Sequence, residues 1–97
     1  MALEAKMSDL QQHKYQYKNY RDDGDAPYTG KLDRDRVDKD EAYEVLYFIN
    51  QFMDDYNVNE YSMIKKIEDA LHSYDLSHES YRPSLNVAVH DKLLAYL

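Results

Sequence analysis

Histidine is the side chain most often used for metal binding and for acid–base catalysis, and this sequence carries four of them. They are His13, His72, His78 and His90. No two lie at the spacing of roughly three to five residues that places paired imidazoles on one metal ion in helical and finger-type sites. The sequence has no cysteine, which removes thiolate nucleophiles, cysteine-based zinc sites and disulfides. We therefore predict that the histidines are solvated polar positions.

Two further patterns match ligand-binding motifs only in part. Residues 33–44 have acidic side chains at the first, third and last positions of a calcium loop, but Val37 replaces an oxygen ligand and Asp38 replaces the turn glycine. Gly24 and Gly30 lie in an acidic stretch and do not form a phosphate-binding loop. No sequence motif joins serine, histidine and an acid into a catalytic triad. We predict no catalytic, cofactor-binding or metal-binding residues, and a protein that is not an enzyme.

Acidic residues outnumber basic ones, and the formal net charge is −7 over 97 residues. The excess lies after residue 21, because residues 1–21 carry four basic and two acidic side chains. A body of this charge repels a phosphate backbone, so we do not expect direct binding to nucleic acid. The charge favours a basic protein partner, with solubility alone as the alternative explanation.

No apolar run is long enough to span a membrane, and the N-terminal residues lack the basic and then apolar pattern of a signal peptide. We therefore expect a cytoplasmic protein with no membrane contact. A chain this short can build only a small hydrophobic core, and here no disulfide supports that core. We expect a homodimer for that reason, because self-association adds buried surface.

The clearest break in the chain is at residues 22–30, which contain both glycines, one proline and three aspartates. We predict two parts: an N-terminal segment with this linker at 1–37, and a helical domain at 38–97. Residues 3–13 are predicted to be helical, with an edge strand around residues 15–17 as the alternative for that region.

Apolar periodicity predicts three helices in the helical domain, at about residues 40–56, 59–74 and 83–96. The first follows Asp38-x-x-Glu41, which has the form of a capping box, and Pro83 suits the first turn of the third. The polar side of the second predicted helix carries Lys65, Lys66, Glu68, Asp69 and His72. Alternation over residues 85–89 leaves a short strand as an alternative there. The predicted fold class is all-α: a small bundle of three helices with a weakly structured or partly helical N-terminal segment.

Tyrosine is the most distinctive residue type, with 11 in 97 positions and no tryptophan. Tyr43 and Tyr47 lie one turn apart, away from the apolar side of the first predicted helix, so the core does not require them there. Tyrosine is enriched where protein surfaces meet. We predict that both anchor a partner, with Glu44, Asp54 and Asp55 supplying charge that complements a basic surface. The alternative is that both tyrosines pack beneath the N-terminal segment.

Val87 and Leu94 lie seven residues apart on the rear of the third predicted helix, and we predict that they mediate self-association. The resulting hypothesis is a small acidic protein-binding module that modulates a partner protein, with imitation of nucleic-acid charge as its strongest form. The alternative is a dimeric, transcription-associated DNA-binding regulator whose last helix reads the major groove. Lys92 is the only basic residue in that predicted helix, which counts against the alternative.

Overall fold

The longest helix in the described part of the chain, α2, lies at the centre of the fold. A computed structural model describes residues 4–17 and 35–97. Its α-helices are α1 (Gln12–Tyr15), α2 (Ala42–Asp55), α3 (Met63–Leu71) and α4 (Arg82–Lys92). Short 3-10 turns lie at Met7–Asp9, Tyr74–Leu76 and Leu94–Tyr96. The predicted all-α bundle of three helices is confirmed, and the predicted linker at 22–30 lies outside the described residues.

The three longer helices bury their apolar sides against one another in a single core. The largest contribution comes from α2, whose buried side chains are Val45, Phe48, Ile49, Phe52 and Met53. The other two helices add Met63, Ile64, Ile67, Leu71, Leu85 and Val89. Burying a side chain of this size stabilises the fold by about 1.5 to 3 kcal/mol relative to exposing it. The apolar periodicity that predicts the helices therefore also predicts most of the core.

Several helix ends differ from the predicted ones. The N-cap of α2 is Glu41, whereas the side chain of Asp38 accepts a hydrogen bond from the main-chain N–H of Asp40 at 3.0 Å. The next helix, α3, begins later than predicted because the preceding residues first form turns with hydrogen bonds between residues three apart. The last, α4, ends at Lys92 and is followed by a 3-10 turn. Since α4 includes residues 85–89, the strand alternative for that stretch is wrong.

Residues 35–37 are held against the beginning of α4. The main-chain N–H of Val37 donates to the carbonyl of Ser80 at 2.7 Å, and that of Arg82 donates to the carbonyl of Asp35 at 2.6 Å. These two bonds form an isolated antiparallel bridge and bring Val37 into the core, where it is buried.

Residues 4–17, which we call the strap, cross α2 and α3. Their main chain is fixed to α2 by Asn50, whose side chain bonds the N–H and carbonyl of Ala5 at 2.7 and 3.2 Å. The helix predicted at 3–13 is wrong, because this stretch contains a 3-10 turn and the four-residue α1 instead. A left-handed residue, Gln16 with φ of 52°, follows α1. Leu10 and Tyr17 of the strap are buried in the common core.

Candidate protein-binding surface

Polar and ring contacts hold α4 alongside α2. The side chain of Asn86 on α4 accepts from the hydroxyl of Tyr56 at 2.5 Å and donates to the carboxylate of Asp55 at 3.0 Å. One turn later, the ring of His90 stacks on the ring of Tyr56 with centroids 4.3 Å apart. These contacts fix the C-terminal end of α2 against the middle of α4, so the side chains beside them are presented at defined positions.

The other end of the α2–α4 interface contains an ion pair and a cation–π contact. Nη2 of Arg82 lies 3.4 Å from Oε1 of Glu44, and the guanidinium lies 5.0 Å from the ring centre of Tyr47. Glu44 is buried, with 8% of its surface exposed. We had expected Glu44 to offer charge to a partner, and the structure corrects this placement: its carboxylate is paired inside the fold.

The remaining predicted residues are exposed on α2, on α4 and in the 3-10 turn that follows α4, and we call this set of residues the outer face. Tyr47 is 43% exposed, Val87 57% and Leu94 59%. Asp54 and Asp55 are also exposed. A spacing of seven residues places Tyr47 and Asp54 on one side of α2. The outer face therefore consists of Tyr47, Asp54, Asp55, Val87 and Leu94.

Asp55 contacts side chains of both α2 and α4. Its carboxylate accepts from the amide of Gln51 at 2.9 Å on its own helix and from the amide of Asn86 on α4. The second contact ties the end of α2 to α4. Asp54 and Asp55 both lie within the last turn of α2, at the negative end of the helix dipole, where a carboxylate is destabilised by about 0.3 to 1 kcal/mol. The two amide contacts offset this cost for Asp55.

Tyr43 differs from Tyr47 in its exposure. Tyr43 is half-buried and packs against the hydrophobic core, whereas Tyr47 is exposed beside Arg82. The structure therefore brings Tyr47 onto the outer face and leaves Tyr43 mostly within the fold.

The charge of the outer face is set by its acids. Asp54, Asp55 and Asp91 are exposed, and the two basic side chains of α4 make ion pairs with other parts of the chain. Arg82 pairs with Glu44, and Lys92 contacts Asp75 at 2.9 Å. A basic surface would therefore meet carboxylates here, next to exposed tyrosine and aliphatic side chains.

A buried polar cluster that the sequence analysis did not identify lies where the strap crosses α3. The carboxylate of Glu68, fully buried, accepts from the hydroxyl of Tyr17 at 2.5 Å and from the main-chain N–H of Gln11 at 3.0 Å. The side-chain amide of Gln11 donates to the same carboxylate at 2.9 Å. Nε2 of His72 lies 2.8 Å from the Tyr17 hydroxyl. Glu68 and His72, predicted on a solvated helix face, are instead covered by the strap.

A second set of contacts surrounds the first and is more exposed. Asp69 accepts from the hydroxyl of Tyr15 at 2.5 Å, from Gln11 at 2.9 Å and from Lys14 at 3.2 Å. The ring of Tyr15 stacks on the ring of His72 with centroids 4.0 Å apart. We call Gln11, Tyr15, Tyr17, Glu68, Asp69 and His72 together the strap cluster. Its only sequence signal is the pair of tyrosines within three residues.

The electrostatics of the strap cluster suit a structural role, attaching the strap to α3, more than they suit catalysis. Burial, with a contribution from Lys39, lowers the pKa of His72 to about 4. Burial and the hydrogen bond to Glu68 raise the pKa of Tyr17, and burial and Asp69 raise that of Tyr15. At neutral pH the imidazole is therefore neutral and both hydroxyls keep their protons. None of the three is tuned to exchange a proton near neutral pH, which general acid–base catalysis requires.

Within residues 4–17 and 35–97, no three histidine, aspartate or glutamate side chains are grouped so that they could hold a metal ion. In the same ranges no helix has the length and apolar character needed to cross a membrane. Family models, curated proteins and solved structures give no match to this chain. The outer face is therefore interpreted from its own geometry.

Proposed function

We propose that this chain is a small protein-binding module that modulates a basic partner protein through the outer face. The observation that carries the proposal is the exposure of Tyr47 together with the carboxylates of Asp54 and Asp55 on α2. Exposed apolar side chains rimmed by charged ones are typical of interaction sites. Tyrosine is among the residues that contribute most to binding energy in such sites.

The part of the outer face on α2 and the part formed by Val87 and Leu94 suit different binding partners. On α2, Tyr47 with Asp54 and Asp55 combines an aromatic anchor with negative charge, which complements a surface rich in lysine and arginine. Such charge accelerates association and makes it sensitive to salt. In the strongest form of the proposal, the partner is a nucleic-acid-binding protein and these carboxylates occupy positions that phosphates would take.

The contacts beneath the outer face support a binding role because they limit what must be ordered on association. Asn86 connects Asp55 to Tyr56, and Arg82 covers Glu44 while lying over the ring of Tyr47. Side chains already held in place lose less conformational freedom when a partner binds.

Val87 on α4 and Leu94 in the turn that follows α4 favour a second copy of the chain, and we propose that they form the centre of a homodimer. Both are more than half exposed, although α4 offers Leu85 and Val89 to the core. In a twofold antiparallel pairing of residues 82–96 of two copies, Val87 of each copy would meet Leu94 of the other. The aspartates of α2 would then lie at the rim, where water screens their repulsion.

The test is affinity capture from a lysate of the source cells at low and at high salt, followed by binding of the purified partner. We compare the wild type with D54N/D55N, Tyr47→Ala and the control D40N/E60Q. The control removes the same two charges from exposed positions off the outer face. We expect the partner to be lost at high salt, and its affinity to fall roughly tenfold in D54N/D55N and Tyr47→Ala but not in the control.

Equal affinity of the outer-face variants and the control for the partner would contradict the proposal, because the positions of Tyr47, Asp54 and Asp55 would then make no difference to binding. Recovery of no protein at either salt would contradict a protein-binding role. The DNA-binding alternative predicts a different result: purified protein would bind duplex DNA with an affinity that falls steeply as salt is added.

A further inference from the structure

The strap is attached to α3 mainly through the polar groups of the strap cluster. Of its apolar side chains, Ala5, Leu10 and Tyr17 enter the core. A groove of about 600 Å³ runs between the strap and α3 and is lined by Asp9, Tyr61 and Lys65 among others. The strap is therefore attached at particular residues and does not pack against α3 along its whole length.

The central contact between the strap and α3 is made by the hydroxyl of Tyr17, which lies between Glu68 and His72. A neutral tyrosine has one proton, and the short contact of 2.5 Å assigns it to the carboxylate of Glu68. Nε2 of His72 must then donate to the hydroxyl oxygen, which leaves Nδ1 without a proton in the neutral ring. A second proton on Nδ1 would place a positive charge in a half-buried ring that is stacked on Tyr15.

We propose that residues 4–17 act as a pH-responsive strap, whose docking on α3 is weakened when His72 takes up a proton. The release goes beyond any partner of the outer face and would occur in the isolated protein.

Burial of the His72 ring decides the direction of the response, because the charges around the ring act in both directions. Burial, Lys39 and Lys14 disfavour an imidazolium in the docked state, whereas Asp40 and Asp69 favour it. Glu68 and the hydroxyls of Tyr15 and Tyr17 complete the set of titratable groups at the ring. The balance lowers the pKa of the docked imidazole to about 4, against 6.5 for an exposed one. The released state therefore binds more protons, and acid favours release.

The size of the response follows from the uptake of one proton. Between the pKa of the released and of the docked imidazole, the ratio of released to docked strap rises by at most about tenfold per pH unit. Because His72 retains some contact with water, we expect about tenfold to a hundredfold over the whole range.

Release would also alter the surroundings of the outer face. The strap is bound to Asn50, which lies on α2 between Tyr47 and Asp54 in the sequence. Detachment frees the apolar surface beneath Ala5 and Leu10 beside that helix. Acidification would thus enlarge the apolar surface next to the outer face.

Amide hydrogen exchange measured by NMR on the full chain tests the proposal. The main-chain N–H of Gln11 donates to Glu68 and reports on strap docking, while the N–H of Phe52 within α2 reports on global unfolding. After correction for the intrinsic pH dependence, we expect the protection of Gln11 to fall about fivefold to twentyfold between pH 7 and pH 5, with that of Phe52 unchanged.

Two variants assign the effect to one side chain. His72→Gln retains an N–H donor for Tyr17 but cannot be protonated, so the protection of Gln11 should no longer depend on pH. His90→Gln is the matched control, since His90 stacks on Tyr56 at the α2–α4 interface, and it should respond like the wild type. Protection that is flat with pH in the wild type, or that still falls in His72→Gln, would overturn the proposal.

If His72→Gln already releases the strap at pH 7, the NMR titration of His72 in the wild type decides. A midpoint well below 6.5, with the protection of Gln11 falling over the same pH range, supports the proposal. A midpoint at or above 6.5 overturns it, because protonation would then favour the docked strap.

Discussion

The strap cluster and the outer face each contain a type of side chain that is unusual for its surroundings. In the strap cluster, a carboxylate lies fully buried and is satisfied by two donors on Gln11 and by the Tyr17 hydroxyl. On the outer face, Val87 and Leu94 are exposed although they are apolar. The first arrangement is complete within one chain, and we propose that the second is completed by a partner.

This difference separates a structural from a functional use of unusual positions. A buried carboxylate that is fully hydrogen-bonded specifies one docking position for the strap, because misplacing the strap would leave a charge without partners. Exposed apolar side chains contribute little to the stability of the isolated fold, and we propose that a partner covers them. Changes in the strap cluster should therefore alter stability, and changes on the outer face should alter association.

The largest expected effect is at Glu68. Glu68→Ala removes the acceptor for Tyr17 and for the main chain of Gln11, and should lower the free energy of unfolding by about 3 kcal/mol. Asp69→Ala, at the exposed neighbouring position, should lower it by less than about 1 kcal/mol. Urea unfolding of both variants measures the contrast. Equal losses would mean that burial does not distinguish the two carboxylates.

The second-largest expected effect on stability distinguishes Tyr17 from Tyr15, the two tyrosines of the strap. Tyr17→Phe removes one hydroxyl that contacts both Glu68 and His72, and should lower the free energy of unfolding by about 2 kcal/mol. Tyr15→Phe removes a contact to the exposed Asp69 and should cost less than about 1 kcal/mol. Thermal unfolding of the two variants checks the order, which a larger loss in Tyr15→Phe would reverse.

Alkaline pH should weaken the strap cluster through the same hydroxyls. Their pKa values are raised in the folded state, so an unfolded chain releases its tyrosine protons first. The stabilisation is complete below pH 10 and declines as the pH rises above it. Between pH 10 and pH 11 we expect a loss of about 1 kcal/mol from Tyr17 and less from the more exposed Tyr15. Urea unfolding at both pH values, with Tyr17→Phe as the control, should show a smaller decline in the variant.

The smallest effect on stability is expected on the outer face. Val87→Lys combined with Leu94→Lys should change the free energy of unfolding of the monomer by less than about 0.5 kcal/mol, because both side chains are exposed in one copy of the chain. The same pair should convert a dimer to a monomer in analytical ultracentrifugation. Tyr74→Lys, at a position that is 91% exposed elsewhere, is the control and should leave the dimer intact. An oligomer that survives the double change would remove these residues from its interface.

The helices were predictable because their signal is local. Phe48, Phe52 and Val45 recur at the period of one helix, and burial in the structure follows that period. The helix ends were less predictable, since the choice of Glu41 over Asp38 as N-cap depends on small differences in turn geometry.

The burial of polar side chains could not be read from the sequence because distant segments produce it. Glu44 is buried by Arg82, 38 positions later, and Glu68 by Gln11, 57 positions earlier. Periodicity places both glutamates on polar sides of their helices and contains no information about what crosses those sides. Tyr47 was correctly placed in solvent for the converse reason, since its exposure follows from its own helix.

The sequence distance between the strap and its docking site has a consequence for synthesis on the ribosome. The strap leaves the ribosome before α3, since Glu68 follows the main-chain donor of Gln11 by 57 residues. The contacts among α2, α3 and α4 close shorter loops and can form before strap docking, which must close a loop of this length. The strap thus emerges early and docks late, and the nascent chain carries the tyrosines at positions 15 and 17 exposed until α3 has emerged.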